Sequence, residues 1–173
     1  KHEWAPPAEP VLKVSPGETF IVETEDCWGG QIMKADDWPE PGRGNPTVSG
    51  SILVEGAEKG DVLTVDVMDV QPLRGRGATR INVPNLPRLK EGPLAELARS
   101  LPPPSRWVRI CPVRDGRVYW TERLALSYEP MIGTIGTFEE SGKGANGGNM
   151  DVREVTVGSR LHLPVSVDGA YLY

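Results

Sequence analysis

Three times this chain passes through a glycine-bearing turn into a run where apolar and polar residues alternate. Ser15-Pro16-Gly17-Glu18 leads into Thr19-Phe20-Ile21-Val22-Glu23-Thr24, Lys59-Gly60-Asp61 leads into Val62 to Val70, and Val157-Gly158-Ser159 leads into Arg160 to Val167. Successive side chains of a strand point to opposite faces, so this period of two predicts strands with one buried face. Pro164 in the third run lacks an amide hydrogen and predicts an edge or a bulge there. The three runs share a device, not a repeated sequence. Further strands are expected at Ser51–Glu55, Trp107–Val113 and Arg117–Ser127, the last two joined by the hairpin signal Asp115-Gly116. One segment, Pro93–Ser100, reads as a helix, with proline in its first turn and Pro102-Pro103-Pro104 ending it. Residues 1–13 read as an extended arm and residues 36–46 as a loop, both broken by prolines. The predicted fold class is mainly β, a sandwich or barrel with short helical insertions. Residues 1–173 are expected to form a single β-rich unit, with 84–106 as a loop and short-helix insertion.

Composition supports few long helices, since 20 glycines and 17 prolines exceed a fifth of the 173 residues. Hydrophobic content of 38% beside 25% charged residues is that of a folded domain. A net charge of −5 argues against a phosphate-backbone partner, so no nucleic acid is expected. No apolar run approaches a membrane span, so no membrane is expected either. The start, Lys1-His2-Glu3-Trp4, has no apolar core of a secretory signal. Cys27 and Cys111 cannot make a disulfide framework, which favours a reduced compartment, and the expected location is cytoplasmic.

Candidate chemistry centres on Met131 to Asp151, where six glycines alternate with Glu139, Glu140, Asn146, Asn149 and Asp151. Gly142 to Gly147 fits G-x-G-x-x-G in letters, but Val152-Arg153-Glu154-Val155 behind Asp151 is no amphipathic helix, and the dinucleotide fingerprint needs one. His162 falls in a predicted strand and His2 in the arm. A lone strand histidine is more often packed or exposed than catalytic. Cys27 lies beside Asp26 and before Trp28-Gly29-Gly30, yet an isolated thiol usually behaves as a small hydrophobe. Carboxylates are the better lead. Glu23, Glu25 and Asp26 precede one glycine turn, and Asp151 follows another. Two Gly-Gly segments, Gly29-Gly30-Gln31 and Gly147-Gly148-Asn149, each carry a carboxamide beside an aspartate. Such backbone can offer N–H groups to an oxyanion, and such side chains can hold a metal or orient water. Capping a turn is the simpler role for any one aspartate.

These residues resemble the acetamidase/formamidase family of amide hydrolases. Val14 to Thr19 followed by Glu23 to Ile32 resembles its amino-terminal strand and turn. Ser49 to Asp61 resembles its "TGPI-VEGAEPGD" block, and Gly133 to Gly136 its "PMIGxIG" approach. Asn146-Gly147-Gly148-Asn149-Met150-Asp151, with Gly158-Ser159 and Leu163-Pro164-Val165, resembles its "GGNMD…GS…LPV" block. Gln71 to Arg123 has no firm counterpart. Many members carry histidine where Asn146 stands. The resemblance places a further "GD-HA-QGDGE" block, with the histidine and acids suited to metal binding and proton transfer, beyond Tyr173.

The resemblance implies hydrolysis of the C–N bond of a small linear or cyclic amide. It assigns catalytic roles to Asp151, Asn149 and Gly148, substrate contacts to Gln31, Gly147 and Asn146, and metal ligation to Asp26 and Asp151. The implied cofactor is a divalent metal ion, zinc before calcium. The expected partners are the small amide, a companion chain carrying the C-terminal half, and further copies in a homo-oligomer. The competing expectation is a non-catalytic β-sandwich that binds a ligand or assembles with a partner.

Overall fold

The computed structural model describes residues 9–40, 48–82, 106–139 and 146–173. The start of the expected arm, the end of the 36–46 loop, the Pro93–Ser100 helix and all of the 84–106 insertion except its last residue lie outside the described residues. So do Glu140 and the Gly142 to Ala145 part of the glycine segment.

Every regular element among the described residues is a strand. They are β1 (Leu12–Val14), β2 (Ile52–Val54), β3 (Val62–Asp66), β4 (Arg76–Asn82), β5 (Arg106–Arg114), β6 (Arg117–Tyr119), β7 (Ala125–Ser127), β8 (Thr134–Gly136), β9 (Gly147–Asn149) and β10 (Arg160–Pro164). Turn residues at this density leave room for short strands only. The chain packs as two compact units, one of Lys1–Gly29, Gly44–Leu73 and Glu129–Tyr173, the other of Gly30–Arg43 and Arg74–Tyr128.

In the first unit β1 runs parallel to β2, β8 is antiparallel to β9, and β3 and β10 form an antiparallel ribbon. The chain's last residues join the first two pairs. Ile52 and Leu172 exchange both backbone hydrogen bonds (2.8 and 2.9 Å), and Gly136 and Tyr173 do the same (3.1 and 2.9 Å). Segment 172–173 thus bridges β2 and β8. It arrives there through three residues with positive φ, Gly169 (85°), Ala170 (56°) and Tyr171 (49°). Left-handed geometry costs a non-glycine residue roughly 1–2 kcal/mol. Ala170 is fully buried, and the Phe138 amide donates to the carbonyls of Ala170 and Tyr171 (3.0 and 3.2 Å), which holds the turn in place. The core beneath is made by Val14, Ile52, Val54, Ile135, Leu163 and Leu172 with their neighbours. Each such side chain contributes roughly 1.5–3 kcal/mol on burial.

Two sequence expectations fail here, each for a backbone reason. Thr19–Thr24 forms no strand; the strand lies one turn earlier, at β1, inside the expected arm. A strand needs a partner for its N–H and C=O groups, and Thr19–Thr24 has no ladder among the described residues. Phe20 still packs on the core while Ile21 is 90% exposed. The run from Val62 to Val70 is a strand only to Asp66, because Val67 turns to donate to Ser159 O (2.9 Å) and accept from Gly158 N (2.7 Å). The third run is a strand only to Pro164.

The second unit is an antiparallel meander, β4-β5-β6-β7. Asp115 (φ 51°) and Gly116 (φ 67°) turn β5 into β6 with both residues left-handed, as the hairpin signal requires. The expected strand over Arg117–Ser127 breaks at Trp120–Leu124, where the Trp120 amide donates to Leu124 O (2.9 Å) and Thr121 Oγ accepts from the Leu124 amide (3.0 Å). β4 carries no clear alternation and was not expected as a strand. Arg109 lies between Trp107 and Trp120, its guanidinium carbon 4.8 and 4.7 Å from the two ring centres, and donates to Trp120 O (2.7 Å). No helix among the described residues is long and apolar enough to cross a membrane.

Candidate functional site: a glycine hairpin in the first unit

The expected site residues separate into one constellation and several scattered positions. Asn146, Gly147, Gly148, Asn149 and Asp151 all belong to the strand β9 and its flanks, which fold back on Gly133 to Thr137. Gly147 and Gly148 therefore lie in a strand, paired antiparallel with Thr134–Gly136. The Thr137 amide donates to Asn146 O (3.0 Å), while the amides of Met150 and Asp151 both donate to Gly133 O (2.9 and 3.0 Å).

Glycine is required at two positions. Gly147 has φ 92°, and a Cβ there would come within 2.4 Å of Ile135 O and 2.9 Å of the Gly136 Cα. A Cβ on Gly136 would come within 2.8 Å of both Asn146 O and the Tyr173 hydroxyl, and 3.0 Å of Gly148 N. The two strands approach each other more closely than side chains permit.

The ladder decides which amides are available. Gly136 spends its own N–H and C=O on Tyr173, so it faces Gly147 as a non-hydrogen-bonded pair. Antiparallel ladders alternate, which puts Ile135 and Gly148 in the hydrogen-bonded pair between 137–146 and 133–150. The Gly148 amide is consequently committed to the hairpin. Those of Gly147 and Asn149 point off the outer edge of β9.

Asp151 adopts φ 48°, a left-handed conformation that aspartate tolerates better than most residues. Its Oδ1 lies 2.9 Å from where a Cβ on Gly133 would be, so the glycine makes room for the carboxylate. Asp151 and Asn149 are exposed. Thr134 Oγ1 lies 3.4 Å from Asn149 Oδ1, a long contact across the pair. Asn146 is different: it is 3% exposed, and its Nδ2 donates to Ser166 Oγ (2.7 Å) and toward Phe138 O (3.4 Å). Its carboxamide ties the hairpin to the segment after β10.

Sequence reasoning missed Tyr173. Its backbone pairs with Gly136 and its hydroxyl reaches the Gly136–Gly148 backbone. Burial, and then the charge of the Glu139 carboxylate, push its phenol above the ordinary tyrosine value. A tyrosine at the end of a chain gives no motif; the available signal was glycine at Gly136, which invites an aromatic ring from the neighbouring strand.

The remaining candidates sit elsewhere. Asp26 also lies in the first unit, where Oδ1 accepts from the Trp28 amide (2.9 Å) and its carbonyl from the Gly29 amide (2.8 Å). That is an aspartate-capped turn. Gln31 belongs to the second unit, and its Oε1 accepts from the Glu40 amide (3.0 Å). His162 lies on the exposed side of β10 with Nδ1 3.1 Å from Thr64 Oγ1. Cys27 is exposed and Cys111 buried, both as free thiols, and burial pushes the Cys111 thiol up. Among the described residues no three His, Cys, Asp or Glu side chains gather where they could hold a metal ion. The described part does not by itself make a metal centre.

Several known proteins resemble this chain. It is 40% identical over 73 residues to a formamidase of Methylophilus methylotrophus, covering 40% of this chain and 18% of that protein. It is 34% identical over 76 residues to an acetamidase of Mycolicibacterium smegmatis, covering 42% and 19%. The crystal structure of an acetamidase from Bacillus halodurans superposes with a TM-score of 0.77 at 31% identity, covering 95% of this chain and 54% of that one. A γ-lactamase from Delftia acidovorans superposes with a TM-score of 0.74 at 20% identity over 98% and 55%, which speaks for the fold alone. The chain thus spans about half the length of these solved relatives, and its matches to the curated ones cover less than a fifth of theirs. The acetamidase/formamidase family model matches residues 1–145, most of the sequence, and the chain belongs to that family.

Proposed function

We propose that this chain supplies one wall of an active site that hydrolyses the C–N bond of a small linear or cyclic amide and releases ammonia or an amine. The observation that carries the reading is the glycine hairpin, which brings an exposed carboxylate, a carboxamide and outward amides together in a member of this family. Water attacks the amide carbonyl and gives a proton to a base outside the described residues as it does so. Asp151 orients that water. The tetrahedral oxyanion accepts a hydrogen bond from one outer-edge amide of β9, that of Gly147 or of Asn149, while the Asn149 side chain holds the substrate amide. Donors placed in advance of the charge cost nothing to reorganise, and loss of one typically costs about 10²–10³-fold in rate. Gly148 serves this site by keeping the ladder in phase. Collapse of the intermediate expels the amine, which takes a proton from a donor outside the described residues.

A divalent metal, zinc before calcium, fits this reading only with ligands from outside the described residues, joined by Asp151 and Asp26. Asn146 keeps a supporting role beneath the hairpin. A companion polypeptide matching the other half of the longer relatives is supported by the Thr19–Thr24 run, which has a strand's alternation and no ladder among the described residues, with Ile21 in solvent. Assembly into a homo-oligomer and a cytoplasmic location complete the proposal, the latter supported by two free cysteines.

The competing reading, a non-catalytic β module, draws on Asp26 serving as a turn cap and on the lack of a three-ligand cluster among the described residues. Ammonia release from formamide, acetamide and a γ-lactam, measured on the complete protein with and without chelator, separates the two. Turnover of at least one substrate is expected. No turnover of any of them contradicts the amidase reading, and turnover indifferent to chelator contradicts the metal.

A further inference from the structure

Asn-Gly and Asp-Gly pairs close into a succinimide more readily than other sequences, because glycine leaves its amide nitrogen unhindered beside the preceding side chain. The chain has three such pairs, Asp115-Gly116, Asn146-Gly147 and Asp168-Gly169. The fold closes two of them to this reaction. Asn146 is 3% exposed, and its Nδ2 donates to Ser166 Oγ (2.7 Å), so the carboxamide is held away from its own backbone. Gly147, whose nitrogen would attack, is fixed in β9. Asp168 Oδ1 accepts from the Lys59 amide (2.9 Å), and the Gly169 amide is spent on Ala57 O (2.8 Å). Neither restraint exists at Asp115-Gly116. Both residues are exposed, and neither the Asp115 carboxyl nor the Gly116 amide has a hydrogen-bond partner among the described residues. A Cβ on Gly116 would meet nothing within 4 Å, so no packed neighbour steadies the turn there.

We propose that Asp115, alone of the three, is a covalent modification site of the folded protein, converted through a succinimide to isoaspartate as the molecule ages. The Gly116 nitrogen bonds to Asp115 Cγ, and the amide hydrogen and the carboxyl OH leave as water. Water then opens the imide. Attack at the Cγ carbonyl restores aspartate, while attack at the main-chain carbonyl routes the chain through Cβ and adds one carbon to the backbone. A two-residue turn has no slack for that carbon. This turn closes the Arg114–Arg117 pair with both its residues left-handed (φ 51° and 67°), and Gly116 O accepts from the Tyr128 amide (2.9 Å) just past β7. Isoaspartate therefore loosens β5, β6 and the end of β7 together, within the second unit. The reaction needs no oxidant and no catalyst, and is independent of the amide hydrolysis proposed above.

The test ages the complete protein at physiological pH and temperature, in buffer and in urea, and separates the digested peptides against synthetic aspartate and isoaspartate standards. In buffer, isoaspartate is expected at Asp115, with Asp168 and Asn146 unchanged. In urea the order changes. Asn146, the more reactive side-chain type, deamidates first, and Asp168 converts as fast as Asp115. Asn146 should react about 100-fold or more slowly in buffer than in urea, because it must wait for local opening of the fold. Gly116→Ala should slow conversion at Asp115 severalfold even in urea, where folding plays no part, since a methyl group hinders the attacking nitrogen. Conversion at Asp115 no faster than at Asp168 in buffer overturns the inference. So does deamidation of Asn146 at equal rates in buffer and in urea, or an unchanged rate in Gly116→Ala.

Discussion

Among the described residues two antiparallel strand pairs are built on glycine, one in each unit, and they use it for different ends. Between β5 and β6, Asp115 and Gly116 make a two-residue turn, and a Cβ on Gly116 would meet nothing within 4 Å. Glycine there supplies a left-handed φ and no more. Between β8 and β9 the glycines lie in the paired strands themselves, and a Cβ on Gly147 would come within 2.4 Å of Ile135 O. Glycine there lets backbone meet backbone, and at Gly133 and Gly136 it admits Asp151 and Tyr173. A turn glycine shapes the chain locally. A strand glycine shapes what other residues can reach, and only the second kind builds a site.

The contrast breaks most visibly at Gly147. Gly147→Ala combines unfavourable φ with an unrelieved backbone clash, and a loss of about 3 kcal/mol or more is expected in urea unfolding. Gly116→Ala carries the φ cost alone, about 1 kcal/mol. Equal losses at the two positions would show that the close approach in the β8–β9 hairpin is not real.

The difference between the hairpins also explains what the sequence could disclose. Asp115-Gly116 announces its turn through local chemistry, because the two residues needing positive φ are adjacent and flanked by alternating runs. The alternation of Val62–Asp66 and Arg160–Pro164 likewise revealed β3 and β10, since each strand has one face on the core. Gly147-Gly148 announced only permissive backbone. Its partner Gly136 lies eleven residues away across a segment whose turn signals, Ser141-Gly142, Gly144 and Asn146-Gly147, are spread too widely to set a register, so strand and loop were indistinguishable. Thr19–Thr24 misled for the opposite reason, having a strand's pattern without a ladder among the described residues. Asp26 and Asp151 looked alike as aspartates beside Gly-Gly, yet one caps a turn and the other lies over a glycine. Tyr173 was invisible because its role depends on which strand the last residues join.

Two finer tests sharpen the comparison. Asp115→Gly should stabilise the turn by about 0.5–1 kcal/mol, since glycine takes the left-handed φ without penalty. Substituting Ala170→Gly should not gain in the same way, because the buried methyl is lost as the φ strain is relieved. The smallest effect concerns pH. The Tyr173 phenol has a raised folded-state value, so the stability it contributes is fully present below the unfolded value near 10.0 and is lost as pH rises through the folded one. Tyr173→Phe removes that loss, and its urea midpoint should fall less than the wild type's between pH 9 and pH 11. An identical fall would show that the phenol titrates no differently in the folded chain.

The central claim is that Asp151 and the β9 backbone form the reacting wall of the site, and replacing the carboxylate alone tests it. Asn tolerates the same left-handed φ, so Asp151→Asn should leave the melting temperature of the complete protein within a few degrees of wild type. Ammonia release from the preferred amide should fall by about 100-fold or more in kcat. Full activity in a folded Asp151→Asn protein would contradict the account.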